Sequence, residues 1–150
     1  MAASTPTLHP TIHVYTDGAC SGNPGPMGIG CVVYVEHGAV VHSRHEISEH
    51  RGVGTNQQAE LMAVGAGLGH VAATHGTHHN VAVYSDSEYA IGLLSKGWQA
   101  KANTALVESV RATCRRFPRL RFVKVRGHAG DVNNERADEL ARAAVRGSGR

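Results

Sequence analysis

Four acidic side chains, Asp17, Glu60, Asp86 and Asp138, stand where carboxylates are seldom placed. Asp17 closes the apolar run TIHVYT, and Asp86 closes the run VAVYS. Glu60 sits just before Leu61 at the edge of a helical face, and Asp138 borders the stripe Ala137, Leu140, Ala141 and Ala144. An unpaired carboxylate at a packed edge is costly. Any one of these acids reads as a turn or cap residue; four in such places read as a set. Clustered carboxylates raise one another's pKa unless a cation sits among them. Hard divalent ions such as Mg²⁺ take oxygen ligands. Two such ions about 4 Å apart are the recurrent device for in-line attack on a phosphodiester. The acids lie 43, 26 and 52 residues apart, so spacing leaves open whether they meet. By contrast Glu36, Glu46, Glu49 and Glu108 fall in turns or polar stretches.

Other residue types narrow the chemistry. Net charge is +3, but residues 96–126 hold nine Lys or Arg side chains against Glu108 alone. Such a bias points to a polyanionic partner or, more plainly, to a solvated basic helix face. Eleven histidines make a lone one uninformative. The run His75, His78, His79 falls between a helix and a strand with no Cys or acid beside it, and reads as an exposed loop rather than a zinc site. Three cysteines without CxxC spacing suit free thiols in a reducing cytosol. No apolar run approaches the roughly 18 residues that span a bilayer, and the first ten residues lack the pattern of a signal peptide.

The elements that must position these groups follow from periodicity. With 150 residues and 41% hydrophobic content, one domain with a real core is expected. Residues 11–16 read as a strand, GIGCVVYV and AVVHSRHEI as a hairpin joined through EHG, and NVAVYS as a buried strand. Thr55 and Gln58 form a capping-box pattern ahead of a helix with Leu61, Val64, Leu68 and Val71 on one face. SEYAIGLLS and residues 103–117 read as two further helices, the second stopped by Pro118. RFVKV reads as the last strand, and Asp131 caps a final helix. The order β-β-β-α-β-α-α-β-α predicts an α/β domain over residues 11–146, with short flexible tails at 1–10 and 147–150.

The blocks YTDGACSGNPGPMGIG, TNQQAELMA, YSDSEYA and VRGHAGDVNNERADELA resemble, in order, the signatures of type 1 ribonuclease H. The resemblance implies a ribonuclease H-like fold with a five-stranded mixed sheet flanked by helices. It implies two Mg²⁺ ions, with Mn²⁺ as an alternative, and hydrolysis of the RNA strand of RNA–DNA hybrids to 5′-phosphate and 3′-hydroxyl ends. Asp17, Glu60, Asp86 and Asp138 match the metal-binding carboxylates, and His128, flanked by glycines, matches a mobile catalytic histidine. Such an imidazole could move a proton to the leaving oxygen or assist product release. Cys20, Asn23, Asn56 and Gln57 match contacts to the hybrid, and Thr55 and Asn103 match positions that hold a phosphate of the DNA strand. In the loop, glycines 18, 22 and 25 are expected to let backbone approach a nucleic-acid groove, with Asn23 facing a 2′-hydroxyl.

The chain departs from the best-known bacterial members in one segment. Only 17 residues separate Asp86 from Asn103, which leaves no room for the extra helix and basic protrusion of those relatives. Lys96, Trp98 and Lys101 remain in the shortened connection. The expectation is a cytoplasmic, monomeric, metal-dependent endoribonuclease with an RNA–DNA hybrid as partner and no membrane association. A non-catalytic hybrid-binding module on the same fold is the alternative, and the loss of a carboxylate would favour it; all four are present.

Overall fold

The computed structural model describes residues 9–126 and 131–147. Five strands form one sheet in the order β3-β2-β1-β4-β5. They are β1 (Thr11–Cys20), β2 (Gly25–His37), β3 (Val40–Gly54), β4 (Asn80–Ser85) and β5 (Leu120–Lys124). The first three pair antiparallel, while β4 and β5 add parallel on the other side of β1. The helices are α1 (Asn56–His75), α2 (Glu88–Ser95), α3 (Thr104–Arg115) and α4 (Val132–Arg146).

The element order and sheet type agree with the sequence expectation; strand lengths do not. β1 runs four residues beyond the expected stop, and β3 continues past Ile47 to Gly54. In β1, Gly18, Ala19 and Cys20 stay paired to Ile29, Gly28 and Met27. In β3, pairing to β2 carries a polar sequence with little alternation through to Gly54 opposite Gly25. Backbone pairing holds both extensions where side-chain pattern gives no signal.

Alternation along β2 sorts the two faces of the sheet. Val33 and Val35 join Ile12, Val14, Leu61, Val64, Leu68, Val83 and Val110 in the main core under α1 and α3. On the other face Val32 packs with Ala137 and Leu140 of α4, flanked by Tyr15 and Tyr34. α4 lies directly on β2, because a Cβ at Gly28 or Gly30 would overlap the α4 backbone at Ala141 and Ala137. The same face carries a stack of His13, Tyr15, Tyr34 and Tyr84, with ring centroids 4.2 Å apart for Tyr15 and Tyr84. Buried His13 bonds the Tyr84 hydroxyl at 2.7 Å and Glu36 at 2.9 Å.

The N-terminal caps read from the sequence for α1 and α4 both form. Thr55 and Gln58 close a reciprocal capping box on α1, and the Asp131 side chain accepts from the Asn134 N–H at the start of α4. The short link between α2 and α3 is pinned by Arg111. Its guanidinium donates to the Leu93 carbonyl at 2.9 Å and the Trp98 carbonyl at 2.6 Å. The Trp98 ring rests on the backbone at Gly92, where any Cβ would collide with it.

Candidate active site

Pairing between β1 and β4 ends at Tyr15 opposite Tyr84, two residues short of Asp17. The carboxyl ends of these parallel strands part there, the usual ligand position in an open α/β sheet. Asp17 lies on β1 opposite Gly30, and Asp86 immediately follows β4, just before Ser87 caps α2. Glu60 comes from the second turn of α1. That helix can reach β1 only because residue 18 is glycine: a Cβ there would overlap the backbone of Ala59 and Glu60.

Asp17, Glu60 and Asp86 each offer an oxygen, and the three oxygens lie within 4.8 Å of one another. Asp17 and Glu60 are only 6% and 7% exposed. One N–H, that of Gly18, donates to Asp17 Oδ1 at 3.0 Å and to Glu60 Oε1 at 2.9 Å. A single neutral donor shared between two buried acids cannot balance their charge. Burial, and then the neighbouring Glu60, Asp86 and Asp138, push the Asp17 carboxyl up to about 10. Burial, and then Asp86, push Glu60 up to about 8. Asp86 is also raised, by desolvation first and by Asp138, with Lys124 opposing. The donor set is all oxygen, crowded and repulsive, which fits a hard divalent cation.

Asp138 stands beside this group rather than inside it. It is near enough to raise Asp17, but its Oδ2 accepts from Arg142 at 2.9 Å, one turn along α4. Arg142 was not singled out in the sequence, although its i,i+4 spacing from Asp138 makes the pair readable. His128 lies outside the described residues.

Several of the residues expected to contact the hybrid tie the loop to its neighbours. Cys20 Sγ donates to the Gly54 carbonyl at 3.1 Å, joining the loop to the end of β3. Asn23 Oδ1 accepts from the Asn56 N–H at 2.8 Å, joining it to the start of α1. Gln57 is exposed on the first turn of α1. The loop glycines have roles inside the fold. Gly18 makes room for α1, Gly25 makes room for the Ser21 carbonyl, and Gly22 adopts φ 81°; the needs are internal to the fold.

Thr55 and Asn103 are drawn together by a residue that the sequence marked only as a cap. Gln58 Oε1 accepts from the Thr55 N–H at 2.9 Å, and its Nε2 donates to Asn103 Oδ1 at 3.1 Å. Asn103 in turn donates to the Tyr89 hydroxyl at 3.0 Å. This chain links the first turns of α1, α2 and α3. Tyr89 carried no local signal, because its partner lies on another helix.

Comparison with known proteins adds three findings. The sequence model of the RNase H family matches residues 9–146. A ribonuclease H of Syntrophomonas wolfei subsp. wolfei is 41% identical over 153 residues, covering 92% of this chain and 98% of the relative. Among solved structures, RNase H1 from the halophilic archaeon Halobacterium salinarum NRC-1 superposes with a TM-score of 0.77 at 27% identity, covering 92% of this chain and 99% of that one. LC11-RNase H1, solved in complex with an RNA/DNA hybrid, superposes with a TM-score of 0.77 at 30% identity, covering 91% and 98%.

Proposed function

The chain belongs to the RNase H family, and on that premise we propose that it hydrolyses the RNA strand of RNA–DNA hybrids, leaving 5′-phosphate and 3′-hydroxyl ends. The observation that carries this reading is the convergence of Asp17, Glu60 and Asp86 on one point at the parting of β1 and β4. Asp17, Glu60 and Asp86, with Asp138 turned from Arg142, would hold the cations. Two Mg²⁺ ions, or Mn²⁺ in their place, would supply positive charge to the phosphate oxygens and lower the pKa of the attacking water.

The protein's own groups do the rest. Strand β1 and helix α1 hold Asp17 and Glu60 with little freedom, so the ligand oxygens need not reorganise. Asn23, Asn56 and Gln57 face the RNA strand, where a side-chain amide can both donate to and accept from a 2′-hydroxyl. Cys20 supports that surface from the loop. Thr55 and Asn103, tied through Gln58, seat a phosphate of the DNA strand. His128 serves as proton carrier to the leaving oxygen or as an aid to product release. Residues 11–146 constitute the catalytic domain. The protein works as a monomer in the cytoplasm, a setting consistent with three unpaired thiols.

A labelled RNA–DNA hybrid, a duplex RNA and a duplex DNA, each incubated with Mg²⁺ or with EDTA, test the reading. Cleavage confined to the RNA of the hybrid, and only with metal, is expected. Equal cutting of duplex RNA, or cutting in EDTA, would remove it.

A further inference from the structure

At the opposite end of β1 from Asp17, four imidazoles surround one cavity of about 210 Å³. His37 and His42 come from the β2–β3 hairpin, His75 ends α1, and His79 precedes β4. The cavity is otherwise lined by Pro10, Ile12, Val35 and Ser43, with no acid among its walls. In the sequence the run His75, His78, His79 lacked a partner within reach. The fold supplies one from 33 residues upstream, His42.

A bulge in β3 is what aims it. Val33 pairs with His45 and Val35 with His42, so Ser43 and Arg44 together oppose the single residue Tyr34. Ser43 takes φ 57°, the left-handed conformation such an insertion tolerates. His42 and His45 are three apart and would lie on opposite faces of a regular strand. The extra residue puts both on the α1 side. His45 stacks on His70 of α1 at 4.1 Å, and His70 meets His75 edge-on at 6.5 Å. Gly76, at φ 84°, then ends α1 and turns the chain so that His79 returns beside His75.

We infer that this cavity is a second metal site, distinct from the carboxylate cluster, taking one borderline transition ion such as Zn²⁺ through His42, His75 and His79. Neutral imidazole suits such ions, whereas Mg²⁺ requires oxygen. His42 Nδ1 bonds Ser43 Oγ at 3.1 Å, which leaves Nε2 for the ion in the manner of supported histidine ligands. The rings line the cavity without yet converging: among the described residues, the carboxylate set is the one group of three with ligand atoms within 4.8 Å. His42 is exposed and His75 and His79 are partly so, which leaves the rings free to turn inward as the ion binds. A bound ion would clamp the β2–β3 hairpin to the α1–β4 connection.

The test is a Zn²⁺ titration against a chromophoric chelator, with excess Mg²⁺ present to occupy the carboxylates. One equivalent should bind. His42→Gln and His75→Gln should each weaken binding by at least about 10-fold, a loss seen even for outer partners of metal ligands. His78→Gln, outside the cavity, should leave it unchanged. At about ten times the Kd, Zn²⁺ should raise the melting temperature by about 3–6 °C in the wild type and not in the double His42→Gln/His75→Gln variant. Circular dichroism would verify that the variants are folded. No one-equivalent site in the wild type, or equal affinity in the double variant, would overturn the proposal; so would a loss in His78→Gln matching that in His42→Gln.

Discussion

Asp17 carries the sharpest expectation at the scale of a residue. Asp17→Asn should abolish cleavage, since it removes a ligand charge from the most buried part of the cluster. It should also change how stability depends on pH in EDTA. Asp17 and Glu60 have ordinary pKa values of 3.8 and 4.5, and in the fold these rise to about 10 and about 8. Below about pH 4 both states hold their protons, and the favourable contribution is fully present. As pH rises from there, the unfolded chain releases protons that the folded one retains, so stability falls until the folded groups ionise. Thermal midpoints of the wild type in EDTA should therefore decline from pH 5 to pH 9, and Asp17→Asn should flatten the decline. Saturating Mg²⁺ should restore the wild type selectively. A flat wild-type profile would contradict the crowding described for the site. His128→Ala belongs at this scale too: turnover should slow by a factor of about 10–10⁴, less than for Asp17→Asn, in single-turnover assays. All four acids were legible as a set because each ended an apolar run or edged a packed face, and three of them bring their oxygens together in the fold. Nothing local showed that Gln58 would reach Asn103, since that depends on which side of a helix meets which neighbour.

At the scale of elements, α4 is placed by what β2 lacks. Gly30 admits the α4 backbone at Ala137, one residue before Asp138. Gly30→Ala should force the helix outward, costing about 1–3 kcal/mol as overpacked cores do. Because Asp138 rides on the displaced helix, the Mg²⁺ concentration for half-maximal activity should rise, while the far-UV spectrum stays the same. Unchanged metal dependence with lowered stability would separate the glycine from the site. Helices were readable from the sequence because their caps and apolar faces are local: Thr55 with Gln58, Asp131, and Leu61 to Val71. Strand ends were not, because Gly18 to Cys20 and the polar end of β3 are strands through partners elsewhere in the chain. The bulge opposite Tyr34 further hides the alternation on which strand recognition rests.

For the whole molecule, the uneven charge gives a testable expectation for the grip on substrate. The basic stretch 96–126 is not uniformly available: Arg111 is committed to the Leu93 and Trp98 carbonyls and to Glu108, and Arg115 also faces Glu108. Lys96, 6.0 Å over the Trp98 ring, and Lys101 sit on the pinned link between α2 and α3. Neutralising both should lower the salt slope of hybrid binding by roughly 2, about one per lost phosphate contact, and weaken all hybrid sequences alike. Binding measured in Ca²⁺ across a salt series would read this, and an unchanged slope would mean that the two lysines face solvent. The dispersal of the four acids over β1, α1, the end of β4, and α4 has a further consequence, for kinetics. No two of these acids share an element and Asp86 lies just past the end of β4, so secondary structure alone leaves the proposed ligands apart until the elements dock. Long-range pairing is slow to form. Recovery of hydrolysis after dilution from denaturant should accordingly lag the return of helical signal, which would make activity a clock for the last docking event rather than for collapse.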